Sequence, residues 1–256
     1  PDHYYHQAID SLIGIQQVSP LNKPSDSSYP AFVMPAYSEQ LIRREISLFT
    51  EWLLQKKLQL SLSPTESRDL NACFDALVSN AMAQPQVVVH RDYHSRNLMV
   101  TADQQLGVID FQDAVTGPIT YDLVSLLRDC YIKWPARQIK QWVSYYHQQL
   151  GEVNKQEYAR DEFTRWFDLM GMQRHLKAAG IFARLSLRDG KHGYLDDIPR
   201  TVSYLVDVTA DYVEFSAVRQ WLNNKLVPAL ADLCTPSDQP TKLTGPHDPN
   251  ELRRSR

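Results

Sequence analysis

The sequence predicts a mostly helical α+β domain with one small sheet at its centre. Apolar residues recur at helical spacing along most of the 256 positions. Strand-like β-branched runs cluster between Val87 and Ile109. Hydrophobic residues make up 43% of the chain and charged residues 22%, the balance of a globular domain that builds its own core.

The first predicted helix runs from Asp2 to Gln17, where Ala8, Ile9, Leu12, Ile13 and Ile15 share a face. Pro, Ser and Asn then dominate Ser19 to Pro35, a linker long enough to pack over a site. Ser38 to Lys57 is amphipathic. Ser63, Pro64 and Glu66 form a helix-start signature, with a capping Ser, Pro at the first helical position and Glu as the reciprocal cap. That helix should reach about Met82. Val87 to Val89 reads as a strand, and Asn97 to Val100 with Leu106 to Ile109 reads as a hairpin. Helices follow over Tyr121–Tyr131, Ala136–Leu150, Lys155–Leu187 with breaks near Gly171 or Gly180, Ile198–Phe215 and Ala217–Leu233. Trp52, Trp142 and Trp166 sit at helical spacing with other apolar residues and are assigned to core packing. From Thr235 to Arg256 the chain carries four prolines and little apolar content, which predicts a poorly ordered tail.

The net charge of −3 lacks the basic excess of a nucleic-acid binder. No apolar run approaches the roughly 18 residues of a membrane helix, and the start resembles no signal peptide. Cys73, Cys130 and Cys234 are odd in number and far apart, which argues against a disulfide framework or zinc site and for a reducing cytoplasm.

The chemistry concentrates in His90-Arg91-Asp92-Tyr93-His94-Ser95-Arg96-Asn97 and Asp110-Phe111-Gln112-Asp113. An Asp five residues before an Asn, just after an apolar strand, is what a phosphoryl-transfer loop needs. Asp92 would orient or accept the proton of an attacking hydroxyl. Asn97 and Asp110 would hold Mg²⁺ bridging the phosphates of ATP. Positioning and metal electrostatics then carry most of the catalysis.

These motifs resemble the catalytic segment of the aminoglycoside phosphotransferase and choline kinase superfamily, distant relatives of protein kinases. The match is His90, Asp92, Asn97 and Ile109-Asp110-Phe111, followed by Gly117-Pro118-Ile119-Thr120-Tyr121-Asp122-Leu123. The resemblance implies the C-terminal lobe of a protein-kinase-like fold over residues 1–234, with the small β-hairpin sheet carrying the catalytic loop and Asp122 bracing it. His90 is read as structural support. Asp113 is either a surface charge or a substrate-side group.

The wider wording, with Met170 to Lys177, Asp189-Gly190-Lys191 and Tyr194, is similar to bacterial anomeric kinases of N-acetylmuramate and N-acetylglucosamine, which act in peptidoglycan recycling. Aminoglycosides, choline or another small hydroxylated metabolite remain alternative acceptors. Tyr93, His94, Arg96, Gln112, Asp113 and Arg174 are the candidate acceptor contacts, Arg174 being either a grip on a carboxylate or an ion-paired helix residue. No Gly-rich phosphate loop or strand Lys of an N-terminal lobe occurs in this chain. Two expectations follow: weak ATP binding by the chain alone, and self-association through apolar surface left beside the small sheet. A non-catalytic, sugar-sensing remnant is the competing reading.

Overall fold

The computed structural model describes residues 2–19, 21–22, 32–155 and 158–233. The tail, Cys234 and most of the linker lie outside the described residues. Helix α1, Asp2–Gln16, buries Tyr5, Ala8, Ile9, Leu12 and Ile13, as its spacing predicts. Within the linker, β1 (Leu21–Asn22) pairs antiparallel with β2 (Phe32–Val33), so this connection carries structure of its own.

Helix α2, Glu39–Leu48, starts where the Ser38 hydroxyl accepts from the Leu41 N–H. Its last turns, Phe49–Lys57, widen to π-helical geometry, with the Leu58 N–H reaching back to the Leu53 carbonyl. Helix α3, Pro64–Ala83, opens on the full capping box: Ser63 accepts from the Glu66 N–H while Glu66 accepts from the Ser63 N–H.

The sheet differs from expectation. It is split into separate antiparallel pairs: β3 (Gln86–Val89) with β6 (Val115–Pro118), and the hairpin β4 (Leu98–Val100) with β5 (Leu106–Val108). Strand β6 went unread because Gly117 and Pro118 look like turn residues. Gly117 is required there, since a Cβ would stand 3.0 Å from the Tyr37 Cβ. Pro118 closes the strand, where its missing N–H costs nothing to the pairing.

Helix α4 is shorter than its pattern, Tyr121–Leu127, because the chain turns where Asp129 accepts from the Tyr131 N–H at 3.0 Å. Helix α5 spans Ala136–Asn154. Helix α6, Arg160–Asp189, runs unbroken for 30 residues, and neither expected break occurs. Gly180 instead allows close packing: a Cβ there would lie 2.4 Å from the Leu48 backbone carbon. A side chain at Gly171 would meet Arg128. Helix α7, Ile198–Asp211, stops before the predicted Phe215, and a 3₁₀ turn takes Val213–Phe215. Helix α8 (Ser216–Trp221), a π-helical turn and α9 (Val227–Leu233) finish the described chain.

Helix α6 is the axis of the core. Met170, Ala179, Ala183 and Leu185 along it are fully buried, and α2, α3, α4 and α7 pack around it. Trp142 and Trp166 are core residues, as expected, whereas Trp52 is half-buried beneath the Lys56 ammonium. Among the described residues no helix is long and apolar enough to cross a membrane.

Candidate functional site

The loop leaving β3 passes His90, Arg91 and Asp92, makes a 3₁₀ turn at Ser95–Asn97, and enters β4. The chain returns along β5 to Ile109 and Asp110. Hydrogen bonds join these two passages. Asp122, at the start of α4 and fully buried, accepts from the His90 N–H at 2.6 Å and the Arg91 N–H at 3.0 Å. Burial raises its carboxyl to about 6 against the pull of those donors.

The His90 ring spans the site. Its Nδ1 accepts from the Asp92 N–H at 3.3 Å and its Nε2 donates to the Ile109 carbonyl at 3.0 Å. This pair of bonds fixes the tautomer with the proton on Nε2. Asn97, also buried, donates its amide to the Asp92 carbonyl at 2.9 Å, while its backbone carbonyl accepts from the Ile109 N–H at 3.1 Å. The positions flanking Asp92 and Asp110 are thus tied to one another through His90 and Asn97.

Arg91 and Asp110 both have left-handed backbones, with φ of 75° and 72°. Neither is Gly, so each carries local strain that its hydrogen bonds hold in place. The Arg91 side chain donates to Glu45 of α2 at 2.8 Å, and Lys177 of α6 reaches the same oxygen at 2.8 Å. Tyr37 and Gln173 donate to the other oxygen of Glu45. Burial opposes ionisation of Glu45, but Lys177 and Arg91 outweigh it and hold the carboxyl below its ordinary value.

A cavity of about 100 Å³ opens beside Asp92, lined further by His94, Arg128, Asp129, Arg174 and Lys177. Arg174 donates to the Arg91 carbonyl and the Ser125 hydroxyl and stacks over Tyr121 at 4.4 Å. Burial lowers the His94 imidazole below its ordinary value despite the nearby Asp129 and Asp92.

The structure divides the residues predicted from sequence. Asp92, His94 and Arg174 meet at the cavity. Arg96 is exposed at its rim, its guanidinium 3.5 Å over the Tyr131 ring. Gln112 is exposed and donates to the Asp110 carboxylate, away from the cavity lining. Asp113 is half-buried and also outside that lining. Tyr93 turns inward instead. It is fully buried, and its hydroxyl donates to the Ala8 carbonyl at 2.7 Å, so its side chain braces α1. Sequence reasoning missed Asp129, Arg128 and Lys177. The spacing of Arg174 and Lys177 on one face of α6 was the available signal.

Among the described residues no cluster of three His, Cys, Asp or Glu could cage a metal. Magnesium does not need one, because it takes one or two carboxylates with the remaining positions filled by phosphate and water. The hard oxygens of Asn97 and Asp110 fit that role. The Asn97 amide nitrogen is already engaged, which leaves its oxygen as the donor.

Comparison with known proteins bears on this arrangement. The chain is 41% identical over 208 residues to the N-acetylmuramate/N-acetylglucosamine kinase of Pseudomonas putida, covering 81% of this chain and 58% of that protein. It is 46% identical over 185 residues to the protein of the same name from Neisseria meningitidis serogroup B, covering 72% and 55%. The chain therefore spans little more than half the length of these relatives. Among solved structures, a choline kinase of Streptococcus pneumoniae superposes with a TM-score of 0.53 at 12% identity, covering 82% of this chain and 64% of that one. An ethanolamine kinase of Plasmodium vivax gives 0.52 at 12%, covering 81% and 59%. At that identity these two establish a shared fold and nothing further. The model of the phosphotransferase enzyme family matches residues 1–163, well over half of the chain, so this chain belongs to that family.

Proposed function

We propose that this chain supplies the base and metal ligands of an ATP-dependent kinase that phosphorylates a sugar hydroxyl. The preferred acceptor is the anomeric hydroxyl of N-acetylmuramate or N-acetylglucosamine, in peptidoglycan recycling in the cytoplasm. The observation that carries the reading is the His90 ring, bonded at one nitrogen to Asp92 and at the other to the neighbour of Asp110. It links the group that would receive a proton to the group that would hold the metal.

In this reading the described residues are the C-terminal, catalytic lobe. Asp92 takes or orients the proton of the attacking hydroxyl. Asn97 and Asp110 would hold Mg²⁺, which when bound neutralises charge on the transferred phosphoryl group. Asp122 and His90 keep the loop in place. The acceptor occupies the cavity beside Asp92, where His94 and Arg174 contact it and Arg96 guards the rim. Gln112 and Asp113 serve the acceptor from the Asp110 side. Arg128, Arg174 and Lys177 disfavour a cationic acceptor such as choline or an aminoglycoside and suit a neutral or anionic sugar.

The test is phosphate transfer from Mg·ATP to N-acetylmuramate, N-acetylglucosamine, choline and kanamycin, followed by phosphorus NMR of the products. Sugar 1-phosphate from the amino sugars is the expected result. Transfer to choline or kanamycin alone would move the acceptor assignment. Sugar binding without any transfer, at Mg·ATP concentrations that saturate the chain, would favour the sensing role.

A further inference from the structure

We propose that Asp129 and His175 form a hydroxyl-reading subsite that holds the ring of a neutral, polyhydroxylated sugar against Asp92. The inference rests on the reading of the cavity as an acceptor site and adds the residues that would choose the acceptor.

Both residues line the cavity beside Asp92. Asp129 is buried, and each of its oxygens takes one protein donor: the Ser95 hydroxyl at 2.7 Å and the Tyr131 N–H at 3.0 Å. A carboxylate accepts about twice that many hydrogen bonds, so both oxygens keep lone pairs for a ligand. His175 is 1% exposed. Its Nε2 donates to the Arg128 carbonyl at 2.9 Å, which makes Nδ1 an acceptor, and that buried Nδ1 has no partner. The Nδ1 of His94, on the same cavity, is also buried without a partner. The Arg128 guanidinium is spent elsewhere, on Asp168 and over the Phe167 ring, neither of which lines the cavity.

Buried polar atoms left unpaired are costly, so a ligand that satisfies them gains affinity and one that cannot is rejected. Asp129 and His175 ask for donors. Neighbouring hydroxyls on a sugar ring supply two donors from one rigid group. A simple anion supplies only acceptors and leaves both unmet.

The probe is N-acetylglucosamine with its monodeoxy analogues, titrated calorimetrically into the full chain without nucleotide. In the native protein, one or more deoxy sugars should bind about tenfold or more weakly than the parent, the loss of one hydrogen bond to a charged group. D129N should weaken the parent by a similar factor and should no longer distinguish that deoxy sugar. H175F keeps the ring that stacks on Tyr204 and should weaken the parent in the same direction.

Affinity for the parent unchanged in D129N or H175F overturns the subsite. So does a D129N variant that still distinguishes the deoxy sugar as the native chain does, because Asp129 would then act only by supporting the loop. No binding by the native chain overturns it as well. Sugar bound through Asp129 with no phosphate transfer from Mg·ATP, in a chain that titration shows to be saturated with the nucleotide, leaves the subsite standing and removes the kinase reading. Transfer with a D129N affinity equal to native does the reverse.

Discussion

Asp92 and Asn97 stand in a fixed register because Asn97 donates to the Asp92 carbonyl and His90 accepts from the Asp92 N–H. Replacing the Asp92 carboxylate with an amide leaves both contacts intact, since neither involves its side chain. D92N should therefore lower turnover by about 10²- to 10⁴-fold and change acceptor affinity little, checked by turnover and calorimetry on the same preparation. His175 contributes a pH dependence of its own. Burial depresses its imidazole to about 3, against an ordinary value of 6.5. Through this group the folded state binds fewer protons than the unfolded state below pH 6.5, so its contribution to stability is complete above that pH and falls as pH drops toward 3, by several kcal/mol in order of magnitude. Asp122, raised to about 6, acts in the opposite sense over the same range, so the readout is a difference: between pH 7 and pH 4, urea denaturation should show the native chain losing stability relative to H175F. Asp92, Asn97 and Asp110 could be singled out because their spacing along the chain is what the proposed chemistry requires, and the fold ties Asn97 to the Asp92 carbonyl. Asp129 was not, because its place depends on α4 ending early and on α6 closing the cavity from some 45 positions away. Tyr93 misled, because a loop position between polar residues gives no sign that its ring passes beneath α1.

Helix α6 shows what periodicity reveals and what it hides. Its apolar spacing and its extent were readable, but its glycines suggested breaks. In the fold they are contact points, and Gly180 brings α6 against the backbone where α2 widens into π-helical turns. G180A should clash with the Leu48 carbonyl group and the Phe49 nitrogen, all main-chain atoms that cannot rotate away. We expect a loss of about 1–3 kcal/mol or more, read as a lower melting temperature. The same substitution at Gly14, where a Cβ meets nothing, should be neutral or slightly stabilising. Strand β6 illustrates the opposite limit. Its four residues are held by pairing to β3 and by the Tyr37 N–H and Pro35 carbonyl on its other edge, partners that no local pattern announces.

Across the whole molecule, apolar side chains stand exposed around the hairpin and the Asp110 turn: Phe111 at 70%, Met99 at 53%, Val100 at 50% and Ile109 at 45%. A patch of this kind favours self-association at high concentration. Sedimentation velocity should show a concentration-dependent increase in size, and a combined M99S/F111S variant should reduce it without lowering the melting temperature. Global arrangement was the least legible level. The helical class followed from periodicity, but the choice of α6 as axis follows from which faces meet, and that is settled only in three dimensions.

Helix α1 touches both the loop that carries Asp92 and the chain leaving β6. The Ala8 carbonyl takes the Tyr93 hydroxyl next to Asp92, and Gln16 donates to the Ile119 carbonyl just past β6. Asp2 and Tyr5 moor the near end of the same helix to Trp142 and Trp134. The helix is therefore a rod pinned at intervals along its length, with the loop of Asp92 hitched to its middle through Tyr93. A kink in that rod, such as Ile9→Pro would introduce, should loosen Asp92 while leaving every cavity-lining side chain chemically intact.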